Sequence, residues 1–120
     1  MWKYEQSTGK MFQPDGEFFA LGYAGHKEGL NNGAKESTPD VGPIPKGLWQ
    51  IGPAFTHAKA GPVTMRLTMQ KGSLFGRSGF LIHGDNPNGD RSASNGCIIL
   101  PRWARLKISE SPVKSLLVVA

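Results

Sequence analysis

The sequence predicts a mainly β, single-domain protein, a β-sandwich or partly open barrel with one short helix. Three observations predict it. The 120 residues include 16 Gly and 9 Pro, a composition of many turns and little helix. Short stretches alternate apolar with polar residues at a period of two, as half-buried strands do. Only the segment after Pro101 carries helix start and stop signals. The length suits one domain, residues 1–120, which buries roughly two-thirds of its unfolded surface.

Trp2-Lys3-Tyr4-Glu5-Gln6 reads as a first strand, because its aromatic residues alternate with polar ones. Ser7-Thr8-Gly9 turns it into Lys10-Met11-Phe12-Gln13. Pro14-Asp15-Gly16 then turns the chain again: Pro presets φ, Asp bonds locally and Gly accepts positive φ. Glu17 to Tyr23 supplies a third strand and completes a meander. Ala24 to Thr38, rich in Gly, Asn and Lys without periodicity, reads as a long surface loop. His26 falls in it and is expected to be solvated. Pro39 to Gly47 holds three prolines in nine residues, a rigid path that crosses an edge or lip of the sheet and feeds the strand Leu48 to Ile51. Phe55 to Pro62 is expected to be a loop with a solvated His57. Met65 to Gln70 alternates cleanly and is the clearest strand. Pro101 opens a helix whose apolar stripe is expected at Trp103, Leu106 and Lys107, with Pro112 beyond its end. Ser115 to Val119 closes the chain as an apolar strand.

The formal charge of +5 favours anionic surroundings, such as a cell-wall polymer. The basic residues are dispersed and no basic run interleaves with aromatics, so nucleic acid is not the expected partner. No run is long and apolar enough for membrane insertion. Met1 to Gln6 lacks a signal-peptide plan, so secretion without a cleavable signal peptide is expected. A single cysteine, Cys97, excludes an internal disulfide or a multi-Cys zinc site.

Chemistry concentrates between Gly79 and Leu100. Two apolar runs, Phe80 to Ile82 and Ile98 to Leu100, bracket a loop of polar residues, Gly and Pro. The first run ends in His83 and the second is preceded by Cys97. A loop returning between two such anchors can set imidazole beside thiol, the pairing that activates a cysteine nucleophile. An activated thiol of this kind is expected to titrate below its free value of about 8.5. Asp85 and Asp90 flank Asn-Pro-Asn-Gly turn residues with His83 nearby, but match no metal geometry, so neither metal nor cofactor is expected. Arg66, Arg77, Arg91 and Arg102 are candidate clamps for substrate carboxylates, because a planar fork suits that group.

His83-Gly84, followed by Ser94, Gly96, Cys97 and Ile98, resembles the catalytic motif of YkuD-type L,D-transpeptidases. Gly42 to Trp49 is similar to the Pro-Gly stretch upstream in that family. More narrowly, the whole chain resembles the small type VI secretion effectors with this domain, which attack peptidoglycan in the periplasm of rival bacteria. Asn95 stands where that motif usually has histidine, Ile99 where it has Arg or Asn, and the loop is a few residues shorter. The resemblance implies an L,D-transpeptidase-type fold with the helix after the catalytic Cys. It implies Cys97 as nucleophile, His83 as base, and Gly84 as the carbonyl that orients the histidine. The implied substrates are stem peptides of peptidoglycan, with L,D-carboxypeptidase activity and free D-amino acids as possible acceptors in exchange. A periplasmic immunity protein is the implied partner. The backbone N–H groups of Gly96 and Cys97 are the natural oxyanion donors, with Ser94 and Asn95 supporting the loop. Two other readings remain open: a non-catalytic wall-binding domain, and a cysteine endopeptidase of other bond specificity.

Overall fold

The computed structural model describes all of residues 1–120. It contains eight strands and one α-helix: β1 (Trp2–Glu5), β2 (Lys10–Phe12), β3 (Phe18–Leu21), β4 (Gly47–His57), β5 (Gly61–Gly72), β6 (Leu81–His83), β7 (Ile98–Ile99), α1 (Arg102–Glu110) and β8 (Ser115–Val119). All eight strands form one sheet in the order β3-β2-β1-β8-β4-β5-β6-β7. The pairs β1–β8 and β6–β7 are parallel and the rest antiparallel. Just after β3, Tyr23 exchanges both backbone hydrogen bonds with Ile99 of β7, at 3.2 and 2.8 Å. The two ends of the sheet therefore meet at a single bridge. Of the two expected architectures, the chain adopts the partly open barrel.

The core inside this sheet joins residues far apart in sequence. Trp2 and Tyr4 of β1, Met11 of β2, Trp49 and Ile51 of β4, Ile82, Ile98, and Leu116 and Val118 of β8 all belong to one buried cluster. Alternation sets this pattern, since β1 and β8 each bury every second residue.

Five local expectations need correction. The segment Phe55 to Pro62 is not all loop: β4 runs to His57 and β5 begins at Gly61, so the two long strands form a hairpin. Register shifts between Ile51 and Ala54 let the ladder absorb Pro53, which is exposed and cannot donate to it. His57 is half-buried at the tip, where its Nδ1 accepts from the N–H groups of Lys59 and Ala60, both at 3.0 Å. The Ala24–Thr38 loop contains two 3-10 turns, Lys27–Gly29 and Gly33–Lys35. Finally, α1 buries Ala104, Arg105 and Ile108, while Trp103 stays 52% exposed and Leu106 38%. Small Ala104 allows close approach to the sheet, and Trp103 instead lies edge-on to Phe19 across the surface. Pro101 precedes the helix as its N-cap rather than its first residue. Lys114, beyond the helix end, donates from Nζ to the carbonyls of Ile108 (3.1 Å) and Ser109 (2.9 Å) in its last turn.

Candidate active site

Parallel pairing of β6 with β7 puts Ile82 opposite Ile98 and His83 opposite Ile99. Ile82 and Ile98 point into the core. Side chains alternate along a strand, so Cys97 leads off on the same outer face as His83, one strand over and two residues back. The His83 ring is buried, and its Nδ1 lies 2.8 Å from the Gly84 carbonyl. A carbonyl only accepts, so Nδ1 carries the hydrogen and Nε2 is left with a free lone pair. Burial holds His83 below the ordinary imidazole range, against a smaller upward pull from the Gly84 carbonyl. The Cys97 thiol donates to the Gly79 carbonyl at 3.6 Å, not to His83. Burial also pushes this thiol up, opposed by the Leu81 N–H and the Arg77 charge. The expectation of a thiol poised below its free value is thus reversed, because desolvation of a thiolate outweighs the favourable groups around it.

Ser94 knots the loop that leads to Cys97. Its hydroxyl accepts from the N–H groups of Gly25 (2.9 Å) and Gly96 (3.0 Å) and donates to the Cys97 carbonyl at 2.6 Å. The Gly96 N–H is therefore spent on Ser94 and does not face an oxyanion. The Cys97 N–H, by contrast, makes no hydrogen bond within the chain. Gly96 has φ +135°, and a Cβ there would sit 2.4 Å from Nη2 of Arg77. Only glycine fits both constraints. His26 is not simply solvated: its Nδ1 lies 3.0 Å from the Ser94 carbonyl, on the outside of the same knot.

Arg77 is buried, which corrects its place among the carboxylate clamps. Its Nη1 donates to the carbonyls of Glu36 (2.7 Å) and Pro43 (2.8 Å), and its Nη2 to those of Gly42 (2.9 Å) and Asn95 (3.0 Å). The guanidinium also lies over the Phe80 ring. With four carbonyls on its two terminal nitrogens, it ties the rigid Pro-Gly segment to the loop before Cys97. Asn95 itself is exposed and enters this brace through its carbonyl alone. Arg66 is also elsewhere, stacked over Phe55 on the β4–β5 hairpin.

The sequence matches the family model described as the Tlde1 domain over residues 19–116. The chain belongs to the Tlde1 domain family. Membership fits an enzymatic type VI secretion effector with a peptidoglycan-related activity, secreted toward target cells. No curated protein matches the sequence. No helix is long and apolar enough to cross a membrane.

Two cavities of this Tlde1 domain share Asp85, and His83 lines the smaller. One, of ≈ 240 Å³, is lined by His83, Gly84, Lys59 and Ala60, so the tip of the β4–β5 hairpin overhangs the imidazole. The other, of ≈ 480 Å³, is a groove floored by Ile99 and Leu100 and lined by Arg91, Arg102 and Arg105. Two of the proposed clamps, Arg91 and Arg102, are thus brought together. Cys97 lines neither cavity; it lies two residues before the groove floor. Sequence reasoning missed three residues around the loop. Arg105 donates from Nε to Leu100 (3.0 Å) and from Nη1 to Pro62 (2.8 Å). Tyr23 donates to Asp85 at 2.6 Å and accepts from the Ala93 N–H at 3.2 Å, clasping both limbs of the loop. Lys59 reaches the site only because β4 and β5 extend into a hairpin whose tip carries it.

Proposed function

We propose that residues 1–120 act as one catalytic domain of the L,D-transpeptidase type, a cysteine enzyme that trims peptidoglycan stem peptides. The single observation that supports this reading is the parallel register of β6 and β7, which sets His83 opposite Ile99, two residues after Cys97, with the His83 Nδ1 fixed on Gly84. Cys97 first turns from the Gly79 carbonyl toward Nε2 of His83. Nε2 takes the thiol proton as Sγ attacks the carbonyl carbon of the L,D peptide bond after the third stem residue. The Cys97 N–H, unpaired within the chain, donates to the oxyanion. As the tetrahedral centre collapses, the C–N bond breaks and the proton on Nε2 passes to the departing amine. D-Alanine leaves and a thioester remains. Water then attacks, giving its proton to Nε2, and the thiolate is expelled and reprotonated; this is L,D-carboxypeptidase action. A free D-amino acid as attacking amine gives exchange instead.

The site of action is the periplasm of a target bacterium, where assembled wall exists. Expression in the cytoplasm should then be harmless, and fusion of an export signal should make it toxic unless Cys97→Ala is present. A periplasmic immunity protein would protect the producing cell. Equal toxicity of exported and cytoplasmic forms would count against this account.

The decisive experiment is single-turnover acylation of a tetrapeptide stem, read by intact-protein mass. His83→Ala should lose nearly as much as Cys97→Ala, and the double variant little more than either, because the pair acts as a unit. Asn95→Ala should keep substantial turnover, since its side chain is exposed and an amide is no base. The wall-binding reading draws on one observation, the thiol held on Gly79 and pushed up by burial. It requires that no acyl-enzyme forms at all.

A further inference from the structure

The groove lined by Ile99 and Leu100 holds three cations and one anion, and none of Arg91, Arg102 and Arg105 makes an ion pair. The anion, Asp85, already accepts from the Tyr23 hydroxyl and from the Asn86 N–H. Arg105 is only 8% exposed, yet its Nη2 makes no hydrogen bond within the chain while Nε and Nη1 are both used. That nitrogen lies against Gly84, where an added Cβ would be 2.7 Å from it. Any side chain at position 84 would displace it, so the glycine next to His83 keeps the guanidinium in place. Helix α1 contributes further. Its N-cap, Pro101, offers no capping side chain, its first turn has no acidic residue, and both Pro101 and Arg102 line the groove. The free N–H groups of this nine-residue helix therefore present partial positive charge to the same space.

A buried guanidinium with an unspent N–H pair, a second arginine beside it and an uncapped helix end together describe an oxyanion receptor. The floor residue Ile99 follows Cys97 by two positions on the same outer face, which is roughly 7 Å along a strand. That is about the length of two residues of an extended substrate. The geometry points to a carboxylate subsite: the Arg91–Arg102–Arg105 groove holds a carboxylate of the stem peptide within two residues of the bond that Cys97 attacks. This inference rests on the proposed stem-peptide substrate and adds the group by which that substrate is held. The carboxylate has two sources, the terminal one on the departing D-residue and a side-chain one on the retained part.

Binding to the Cys97→Ala variant of residues 1–120, measured by calorimetry, tests this separately from turnover. The probes are a stem tetrapeptide ending in D-alanine, its C-terminal amide, and a form with side-chain carboxylates amidated. The free peptide should bind about 10-fold or more tighter than whichever amide removes the recognised group, a typical worth of a charge-assisted pair. Adding Arg102→Gln should erase that difference. Arg102 is exposed and makes no hydrogen bond that the fold needs, so this variant remains folded. Sensitivity to the terminal amide identifies the departing residue as the source; sensitivity to the side-chain amide identifies the retained part. Equal affinity for all three peptides, no binding of any of them, or a difference that survives Arg102→Gln overturns the subsite. Binding of this kind with no acylation by the unmutated protein would sink the enzymatic reading and leave the groove standing. Acylation indifferent to both amides would do the reverse.

Discussion

Cys97 and His83 both rest uncharged at neutral pH, since burial raises the one and lowers the other. In the proposed mechanism the two therefore start as thiol and imidazole, and the proton moves during attack. Two pH dependences follow. His83 accepts a proton only while neutral, and its lowered value keeps it neutral further into acid. Activity should then be lost as pH falls through a point below the ordinary imidazole value of about 6.5. Iodoacetamide labelling of Cys97 should have its midpoint above the free thiol value of about 8.5. A labelling midpoint below that would mean that a thiolate is already present at rest. At Gly96 the constraint is steric as well as conformational, because φ is +135° and the space where a Cβ would go is filled by Arg77. Gly96→Ala should cost about 2 kcal/mol or more in urea unfolding. It should also slow acylation beyond what the stability loss explains, by shifting the loop that carries Cys97.

Among the elements, the Pro-Gly segment and the loop before Cys97 depend on each other through Arg77. Removing the guanidinium leaves four carbonyls without their donor. Arg77→Gln should destabilise by about 3 kcal/mol, the scale of losing charged hydrogen bonds from a buried site. A clamp on substrate would behave differently: KM would rise while the urea midpoint stayed put. These elements also mark where local reading of the sequence succeeds. β1, β2, β3 and β8 were legible because period-two alternation and Pro-Asp-Gly turn chemistry are properties of neighbours in sequence. The β4–β5 hairpin was not, because Pro53, Lys59 and Pro62 look like loop residues and the bulges that accommodate them depend on the partner strand. Burial of Arg105 and Arg77 was equally hidden. An arginine goes inside only where carbonyls from distant segments converge on it, and those partners lie 5 to 43 residues away for Arg105 and 18 to 41 for Arg77. The pairing of the two apolar runs that adjoin His83 and Cys97 was legible for the opposite reason. Each of these residues sits at the end of a short apolar run, and two such runs in one small domain tend to pair.

Across the whole molecule, β8 joins two halves of the barrel. One side of it pairs with β1, which carries β2 and β3; the other pairs with β4, which carries β5, β6 and β7. The family match spans residues 19–116 and so leaves out β1 and β2, yet these two strands supply Trp2, Tyr4 and Met11 to the core. Their only ladder to the strands of the site runs through β8. The other backbone bridge between the halves is Tyr23–Ile99, supported by side-chain bonds from Tyr23 to Asp85 and from the Gly25 N–H to Ser94. Deleting Ser115 to Ala120 would remove Leu116 and Val118, which are 0% and 2% exposed, and would leave both β1 and β4 as open edges. Burying each such side chain is worth roughly 1.5–3 kcal/mol, and the lost ladders and the core faces uncovered on both sides add to that. The loss is a large share of the 5–15 kcal/mol or so by which a domain is typically stable. The truncated chain should show no cooperative urea transition and no dispersed amide spectrum. Deleting Ala120 alone should change little, since it is exposed and contributes one long 3.4 Å contact from Ser7. A truncated chain that unfolds cooperatively with a denaturant slope near the full-length value would show that the β1–β3 meander and β8 are dispensable to the rest.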